Sequence, residues 1–210
     1  MKVIFYCEEF QVSTDILLEY LEVAFHGILY HRKIYPAEIF SRKKIYGVGI
    51  WVSDHPEVNE YLKNILEAIR EALTADITSI KRLNFVLVDS EDILMEKYVF
   101  DLVKIQIDTP EIDPYFLRTE ESLRTVCLKL SMMESYLKPL PENCQFFIEL
   151  ESHEAALVGL SENPKCEDFP WIVRNDDWNE TSGKTSLLPI YTVKTEHLGV
   201  QLFVIGETKN

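Results

Sequence analysis

Between Phe10 and Tyr35 the sequence carries a long run of apolar residues at helical spacing. They form two neighbouring lines, Val12, Ile16, Tyr20 and Val23 in one and Leu17, Leu21, Ala24 and Ile28 in the other. An apolar face this broad is typical of a helix buried at the centre of a domain. Pro36 disfavours helical geometry at Tyr35, which predicts that the helix ends there.

Two further helices are predicted from their start signals. The second begins near Asp54 or His55, with Pro56 at an early helical position. Its inward stripe is Val58, Leu62, Ile65, Leu66, Ile69 and Leu73. Asp113 and Pro114 serve as cap and first position of the third helix. That helix carries Leu117, Leu123, Val126, Cys127 and Leu130 inward.

The strand-like runs are short and lie between and after these helices. Lys81 to Val88 and Glu96 to Val103 flank the polar turn Asp89 to Asp92, which predicts an antiparallel hairpin. Cys144 to Leu150 alternates between apolar and polar residues, a pattern that predicts a half-buried strand. One face of that strand carries Phe146, Ile148 and Leu150.

The pattern changes beyond Glu151. Gly159 to Ser186 has no sustained periodicity, and long irregular segments in compact domains are usually functional or disordered. Leu188 to Val193 and Val200 to Ile205 are again strand-like. The order of helices and strands predicts an α+β fold with a mostly antiparallel sheet.

Charge and short motifs exclude several ligands. A net charge of −14 repels a phosphate backbone, so no direct binding to nucleic acid is expected. The basic run Arg42 to Lys44 is predicted to be a solvated loop. The apolar run Val3 to Cys7 is too short for a signal sequence or a membrane helix, which predicts no membrane association and a place in the nucleus or cytoplasm.

No signature of catalysis or metal binding is found. The four cysteines form no CxxC pair, so no metal is expected. Gly183 fails as part of a phosphate-binding loop because Trp178 stands where that loop needs glycine. Gly47 to Gly49 lacks the third glycine of a dinucleotide motif and is predicted to be a turn. We therefore expect neither an enzyme nor a cofactor, although a triad assembled in space stays open.

Three separated stretches carry a family resemblance: LEYLEVAFHGILYHRKIYPAEIF from Leu18 to Phe40, HPEVNEYL from His55 to Leu62, and DFPWI from Asp168 to Ile172. With them the chain resembles the HORMA-domain accessory subunits of DNA polymerase zeta, which are related to the mitotic arrest deficient checkpoint proteins. The resemblance implies a single HORMA domain over residues 1–210, with three helices against an antiparallel sheet. A core of about residues 1–151 would carry a C-terminal safety belt of about residues 152–210.

In this family the safety belt closes over a short, proline-containing peptide of the catalytic polymerase subunit. The peptide adds as a strand to a sheet edge, and the crossing segment slows its release. The resemblance places the peptide-facing aromatic residues at Tyr61 and Trp171, with Val173 where a larger aliphatic residue is usual. Phe146 and Ile148 on the predicted strand complete the expected site. The alternative for Trp171 is a plain core aromatic.

A second face implied by the resemblance binds the C-terminal domain of the inserter polymerase. It maps onto Leu187, Leu188 and Pro189 on one strand and onto Gln201 and Phe203 on the other. The family has an aromatic residue with a hydroxyl group where Phe203 stands, so any hydrogen bond from that group is lost. The alternative is an ordinary sheet face.

The third implied surface pairs two HORMA domains and corresponds to Arg42, Arg124 and Lys129, which would otherwise be solvated charges. A HORMA-remodelling AAA+ ATPase is a further candidate partner. The resulting hypothesis is a non-catalytic adaptor in translesion synthesis, in the nucleus and also the cytoplasm. The alternatives are a spindle-checkpoint HORMA protein that binds mitotic regulators, a small hydrolase and a simple DNA-binding protein.

Overall fold

The structure is a computed structural model of the chain. It describes residues 3–76, 80–102, 113, 115–152, 172, 179–180 and 185–209. The helices are α1 (Val3–His31), α2 (Pro56–Asp76) and α3 (Leu117–Tyr136), and a single 3-10 turn covers Ala37–Ile39. The strands are β1 (Phe40–Ile45), β2 (Val48–Ser53), β3 (Ile80–Val88), β4 (Ile93–Leu102), β5 (Gln145–Ser152), β6 (Asn179–Glu180), β7 (Thr185–Lys194) and β8 (Gly199–Glu207).

The main sheet has the order β5-β3-β4-β8-β7, and every neighbouring pair in that order is antiparallel. The short strand β6 pairs in parallel with the start of β4. Strands β1 and β2 form a separate antiparallel pair. The predicted α+β class with three helices and a mostly antiparallel sheet is confirmed.

Helix α1 packs at the centre of the core, as its broad apolar face predicts. The Phe25 ring is fully buried and contacts Phe85 on β3 at 5.2 Å and Phe100 on β4 at 5.8 Å between centroids. Tyr20 meets Phe100 edge-on at 5.7 Å. Each such aromatic side chain contributes about 1.5–3 kcal/mol through burial alone. The outer end of the predicted stripe is less enclosed, since Val12 is 38% exposed.

Helix α1 covers Val3–His31, so it begins before the predicted Phe10 and ends before the predicted Tyr35. Lys33 adopts the left-handed conformation, with φ of 58°. The backbone N–H of Ile34 then donates to the Leu29 carbonyl at 3.1 Å, and that of Lys33 donates to Tyr30 at 3.1 Å. This pair of bonds is the Schellman motif, which ends a helix regardless of a later proline.

Helix α2 begins at Pro56, next to the predicted start near Asp54 or His55, whereas the predicted start of α3 at Pro114 is wrong. Helix α3 begins at Leu117, after Phe116 in the left-handed conformation. The Asp113 carboxylate still caps the helix from a distance, because it accepts the backbone N–H groups of Arg118 at 3.3 Å and Thr119 at 3.0 Å.

The hairpin of β1 and β2 was missed, and the predicted loop at Arg42 to Lys44 is wrong, since these residues lie in β1. Its turn uses two positive φ angles, 50° at Tyr46 and 73° at Gly47, which match the twist of a two-residue hairpin. Trp51 on β2 stacks on Tyr30 of α1, with ring centroids 4.4 Å apart, so the hairpin is anchored to the core.

Strands β3, β4, β5, β7 and β8 lie where the sequence predicts strands, whereas the short strand β6 was not predicted. In the turn between β3 and β4, Asp89 Oδ1 accepts backbone N–H groups from Glu91 at 2.9 Å and Ile93 at 3.0 Å. Strand β5 runs two residues further than Leu150, and the two C-terminal strands pair as a hairpin. We call β7 and β8 together the C-terminal hairpin.

Most of the predicted irregular segment from Gly159 to Ser186 lies outside the described residues, so the division into core and safety belt stays a prediction. Across the described ranges, no helix combines the length and apolar character that crossing a membrane requires.

Candidate functional site

In the part of the sheet that the structure describes, strand β5 is an edge strand. Among the strands that the structure describes, it pairs with β3 alone, over the whole of its length. The outward N–H and C=O groups of an edge strand form a template on which another extended chain can pair. Eight residues give this edge a length on which a short peptide can lie.

The two faces of β5 differ in the way its sequence predicts. Phe146 is buried and Ile148 and Leu150 are half-buried on the face toward the helices. Phe147, on the other face, is 37% exposed. A strand added alongside would therefore place alternate side chains against an apolar face.

Phe146 is the centre of a cluster of four aromatic rings. It stacks on Phe85 of β3 at 5.0 Å, and it meets Tyr61 edge-on at 5.6 Å and Tyr35 edge-on at 6.4 Å. Tyr61 projects from α2 and is 41% exposed. The predicted site residues Tyr61 and Phe146 therefore lie together, with Ile148 two residues further along β5.

Tyr35 was missed as a site residue, because the sequence marked it only as the end of a helix before Pro36. Burial raises the pKa of Tyr35, and burial followed by the nearby Tyr35 phenol raises the pKa of Tyr61. Both phenols are therefore neutral near pH 7, and the cluster is an uncharged aromatic surface. Trp171 and Val173 lie outside the described residues, while Ile172 between them is 90% exposed.

Buried Ser53 fixes the first turn of α2, the helix that carries Tyr61 in its second turn. The Ser53 hydroxyl accepts the backbone N–H of His55 at 3.1 Å, and the Ser53 carbonyl accepts Asn59 Nδ2 at 2.9 Å. The backbone N–H of Ser53 donates to Nδ1 of His26 at 3.3 Å. Burial, and then the charge of Lys43, lower the pKa of His26 to about 4, so its ring is neutral and can accept this bond.

The C-terminal hairpin presents part of the second predicted surface. Leu187 is 58% exposed, and Pro189 pairs with Phe203 in the ladder. Gln201 is exposed on the same face as Phe203, two residues away. Leu188 differs, because it packs against the core on the opposite face. Four of the five residues thus share one face, and Leu188 does not.

The third predicted surface is divided between two contacts. Arg124 Nε on α3 donates to the Tyr46 carbonyl at 2.7 Å, and the Arg42 side chain lies over Gly49, so both contact the hairpin of β1 and β2. Lys129 Nζ instead donates to the Ile190 carbonyl at 2.8 Å and lies 5.1 Å from the centre of the Tyr191 ring. The structure therefore groups Arg42 with Arg124 and leaves Lys129 with β7.

Chemistry beyond binding has little support in the described residues. None of their His, Cys, Asp and Glu side chains form a group of three or more placed to hold a metal ion. A cavity of about 260 Å³ lies between the ends of α1 and α3 and includes Cys144. Burial raises the pKa of the Cys144 thiol, which is opposite to what an activated nucleophile needs.

The chain belongs to the HORMA domain family, since residues 13–156 match the model of the HORMA domain. The human protein named "Mitotic spindle assembly checkpoint protein MAD2B" is 32% identical over 194 residues, which cover 92% of this chain and 90% of the relative. "DNA polymerase zeta subunit 2" of Drosophila melanogaster is 29% identical over 197 residues, covering 93% and 97%. The resemblance predicted from the sequence is confirmed.

Solved structures agree on the fold. A chain in "Crystal Structure of Mitotic Checkpoint Complex" has a TM-score of 0.76 at 20% identity, covering 93% of this chain and 98% of its own. Caenorhabditis elegans HTP-2 bound to the HIM-3 closure motif has a TM-score of 0.69 at 13% identity, covering 94% and 91%. At these identities the likeness establishes the fold alone, and the predicted HORMA fold is confirmed.

Proposed function

We propose that this chain is the accessory subunit of a DNA polymerase zeta and acts without catalysis, as an adaptor in translesion synthesis and tolerance of DNA damage in the nucleus. Relatives named as subunits of that polymerase in insects, plants and fission yeast, each aligned over most or much of this chain, support the assignment. The HORMA domain supports a role in binding partner proteins.

The observation that carries the proposal is the aromatic cluster beside the edge strand β5. A proline-containing segment of the catalytic subunit adds to this edge as a strand, and main-chain hydrogen bonds to β5 hold it. Its alternate side chains lie against Phe146, with the Tyr61 ring 5.6 Å away and half-exposed. Trp171 and Val173, which the resemblance marks as peptide-facing, are the further side chains expected to bind the segment. A HORMA neighbour solved with a closure motif supports this mode of capture.

The test is a titration of the full chain with a proline-containing segment of the catalytic subunit. Tyr61→Ala and Trp171→Ala each weaken binding by more than about 2 kcal/mol, roughly thirtyfold, if both rings are central anchors. Tyr115→Ala is the matched control, since Tyr115 is 79% exposed and lies before α3. Equal affinities for all four proteins would refute the site.

The outer face of the C-terminal hairpin binds the C-terminal domain of the inserter polymerase. Leu187, Pro189, Gln201 and Phe203 share this face, with the Pro189–Phe203 pair between Leu187, which is 58% exposed, and Gln201. An exposed apolar side chain flanked by polar groups is the usual composition of a docking surface. The two sites lie on different strands of the sheet, so one chain can bridge both polymerases.

Helix α3 pairs with a second HORMA domain. Its exposed side carries Leu128 and Met132, which are 51% and 52% exposed at a spacing of one helical turn. Arg124 lies one turn earlier and donates to the Tyr46 carbonyl of the neighbouring hairpin, whose strand β1 carries Arg42. A HORMA-remodelling AAA+ ATPase is the expected partner for resetting the safety belt. Arg124→Ala should lower the mass seen by sedimentation at micromolar concentration if the pair forms.

A spindle-checkpoint role is the second candidate, because several relatives carry the name of a checkpoint protein. The same edge strand would then capture a segment of a mitotic regulator. Isolation of the chain from dividing cells, followed by mass spectrometry of its partners, separates the two. Recovery of mitotic regulators without the polymerase would favour the checkpoint role.

A further inference from the structure

The loop before α3 is hydrogen-bonded to the turn between β7 and β8. The backbone N–H of Asp113 donates to Glu196 Oε2 at 2.7 Å, and the Asp113 carbonyl lies 3.3 Å from Nε2 of His197. Thr119 Oγ1 lies 3.1 Å from Thr195 Oγ1. Three successive residues of the turn thus contact the start of α3, although they are more than 70 residues away in the sequence.

Both partners of this contact are held rigid by their own bonds. The Asp113 carboxylate accepts Thr119 Oγ1 at 2.9 Å as well as the two backbone N–H groups of the helix start. Although burial opposes ionisation, the bonds from Thr119 and Arg118 lower the pKa of Asp113. On the other side, Thr195 Oγ1 accepts the Leu198 N–H at 3.1 Å and closes the turn.

The other end of the C-terminal hairpin is also tied to α3. The backbone N–H of Lys138 donates to the Glu207 carbonyl at 2.9 Å, and that of Lys209 donates to Tyr136 at 2.8 Å. Lys138 Nζ adds an ion pair to Glu207 at 2.6 Å. Both ends of the hairpin are therefore fastened to the flanks of one helix.

In the described part of the sheet, the C-terminal hairpin joins the other strands only through the β4–β8 ladder. Its middle also contacts α3 through the Lys129 bond to the Ile190 carbonyl, and its inner face packs on the core. The hairpin can therefore leave the sheet as a unit once its two ends are released and these contacts are broken. We infer that Asp113, Thr119 and residues 195–198 form a latch that sets how readily the C-terminal hairpin detaches. A single net hydrogen bond corresponds to about a tenfold change in an equilibrium constant. Loss of one latch bond should therefore raise the equilibrium constant for detachment of the hairpin about tenfold.

The latch also sets the lifetime of a captured peptide, and this part of the inference rests on the proposed function. The segment that covers the peptide precedes β7, so detachment of the hairpin frees its C-terminal end. A polar latch suits such a role, because its groups can exchange partners with water, whereas the buried apolar residues of the hairpin cannot.

Hydrogen exchange of the full chain without peptide tests the latch by itself. Glu196→Ala removes the acceptor for Asp113, while Glu196→Gln keeps an acceptor oxygen and is the matched control. Glu196→Ala should speed amide exchange in β7 and β8 about tenfold and leave β3 unchanged, and Glu196→Gln should resemble the unmodified chain. Unchanged exchange in β7 and β8, or equal acceleration in β3, overturns the latch.

A second measurement separates the latch from the proposed function. A complex with a proline-containing segment of the catalytic polymerase subunit is diluted, and release of the segment is followed over time. Release about tenfold faster from Glu196→Ala than from Glu196→Gln supports control of peptide lifetime. Equal release rates from the two variants would show that the latch does not set the lifetime of the peptide, even if amide exchange in the hairpin is faster in Glu196→Ala. Failure of the segment to bind any variant refutes the proposed function and leaves the exchange result to decide the latch.

Discussion

The rings of Phe85 and Phe146 lie parallel, with an interplanar angle of 1° and centroids 5.0 Å apart. Phe85 is fully buried in β3, whereas Phe146 is 9% exposed on the edge strand β5. The proposed binding surface is thus a direct extension of the hydrophobic core. Within this one cluster, some residues should therefore contribute mainly to stability and others mainly to binding.

Replacement of Phe146 should destabilise the protein far more than replacement of Tyr61. Phe146→Ala removes a ring that contacts three others and should cost about 3–5 kcal/mol of the free energy of unfolding. Tyr61→Ala removes a half-exposed ring and should cost about 1 kcal/mol. Urea unfolding followed by circular dichroism measures both. Similar costs for the two variants would show that Tyr61 is a core residue.

The neighbours Leu187 and Leu188 should behave in opposite ways, because they lie on opposite faces of β7. Leu187→Ala should change stability by less than about 0.5 kcal/mol and weaken binding of the inserter polymerase C-terminal domain. Leu188→Ala should cost about 1–2 kcal/mol of stability and leave that binding unchanged. Calorimetric titration and urea unfolding provide the measurements. If only Leu188→Ala weakened binding, the docking face would be the opposite face of β7 from the one proposed.

The buried ion pair of Arg32 and Glu96 should be costly to break. Arg32 Nε and Nη2 donate to the Glu96 carboxylate at 2.9 and 2.5 Å, with both side chains 3% exposed. Burial raises the pKa of Glu96, opposed by Arg32 and then by the Tyr98 hydroxyl. Arg32→Met should cost about 3–5 kcal/mol, because it leaves a carboxyl group buried without its partner.

The control for this pair is the adjacent Lys33, which pairs with Glu134 at 2.8 Å with 77% and 48% exposure. Lys33→Met should change the unfolding free energy by less than about 1 kcal/mol. Adding Glu96→Gln to Arg32→Met should recover part of the loss, since the amide carries no charge. No recovery in the double variant would mean that packing of Arg32, and not its charge, matters.

Stability should fall in acid because of His26. Its pKa is lowered to about 4, so above pH 6.5 the ring is neutral in the folded and the unfolded chain and its contribution is fully present. Between pH 6.5 and about 4 the unfolded chain binds a proton that the folded chain does not, and up to about 3 kcal/mol is lost. His31, whose pKa is also lowered by burial, adds to the same trend.

The check is the urea midpoint of the chain and of His26→Asn at pH 7 and pH 4.5. Asparagine can accept the Ser53 N–H without titrating, so the variant should lose less stability between the two pH values. An identical pH dependence in both proteins would assign the acid sensitivity to other groups.

The sequence predicted the elements that bury one regular face. Helix α1 and strand β5 show their period clearly, since one side of each packs on the core. The hairpin of β3 and β4 was predicted from its polar turn instead, because β3 is buried on both faces over most of its length. Strand β1 shows no period, because its three basic residues all face solvent and its hairpin packs on α1 through few residues. The left-handed conformations of Lys33 and Phe116, which set two helix ends, leave no mark in residue type.

The candidate site was predicted in part. Tyr61 and Phe146 were placed by resemblance and strand alternation, and they lie in contact. Tyr35 was not found, because its contact with Phe146 joins residues 111 positions apart in the sequence. Leu188 was grouped with Leu187 and Pro189, although successive strand residues alternate between faces. The register shift between Pro189 and Tyr191 is invisible in the sequence.

The most direct test of the proposed capture is a crystal structure of the full chain with a proline-containing segment of the catalytic polymerase subunit. The segment should run as a strand along the outer edge of β5, with hydrogen bonds to that strand and contacts to Tyr61 and Phe146. A segment bound elsewhere, with the outer edge of β5 unoccupied by it, would contradict the account.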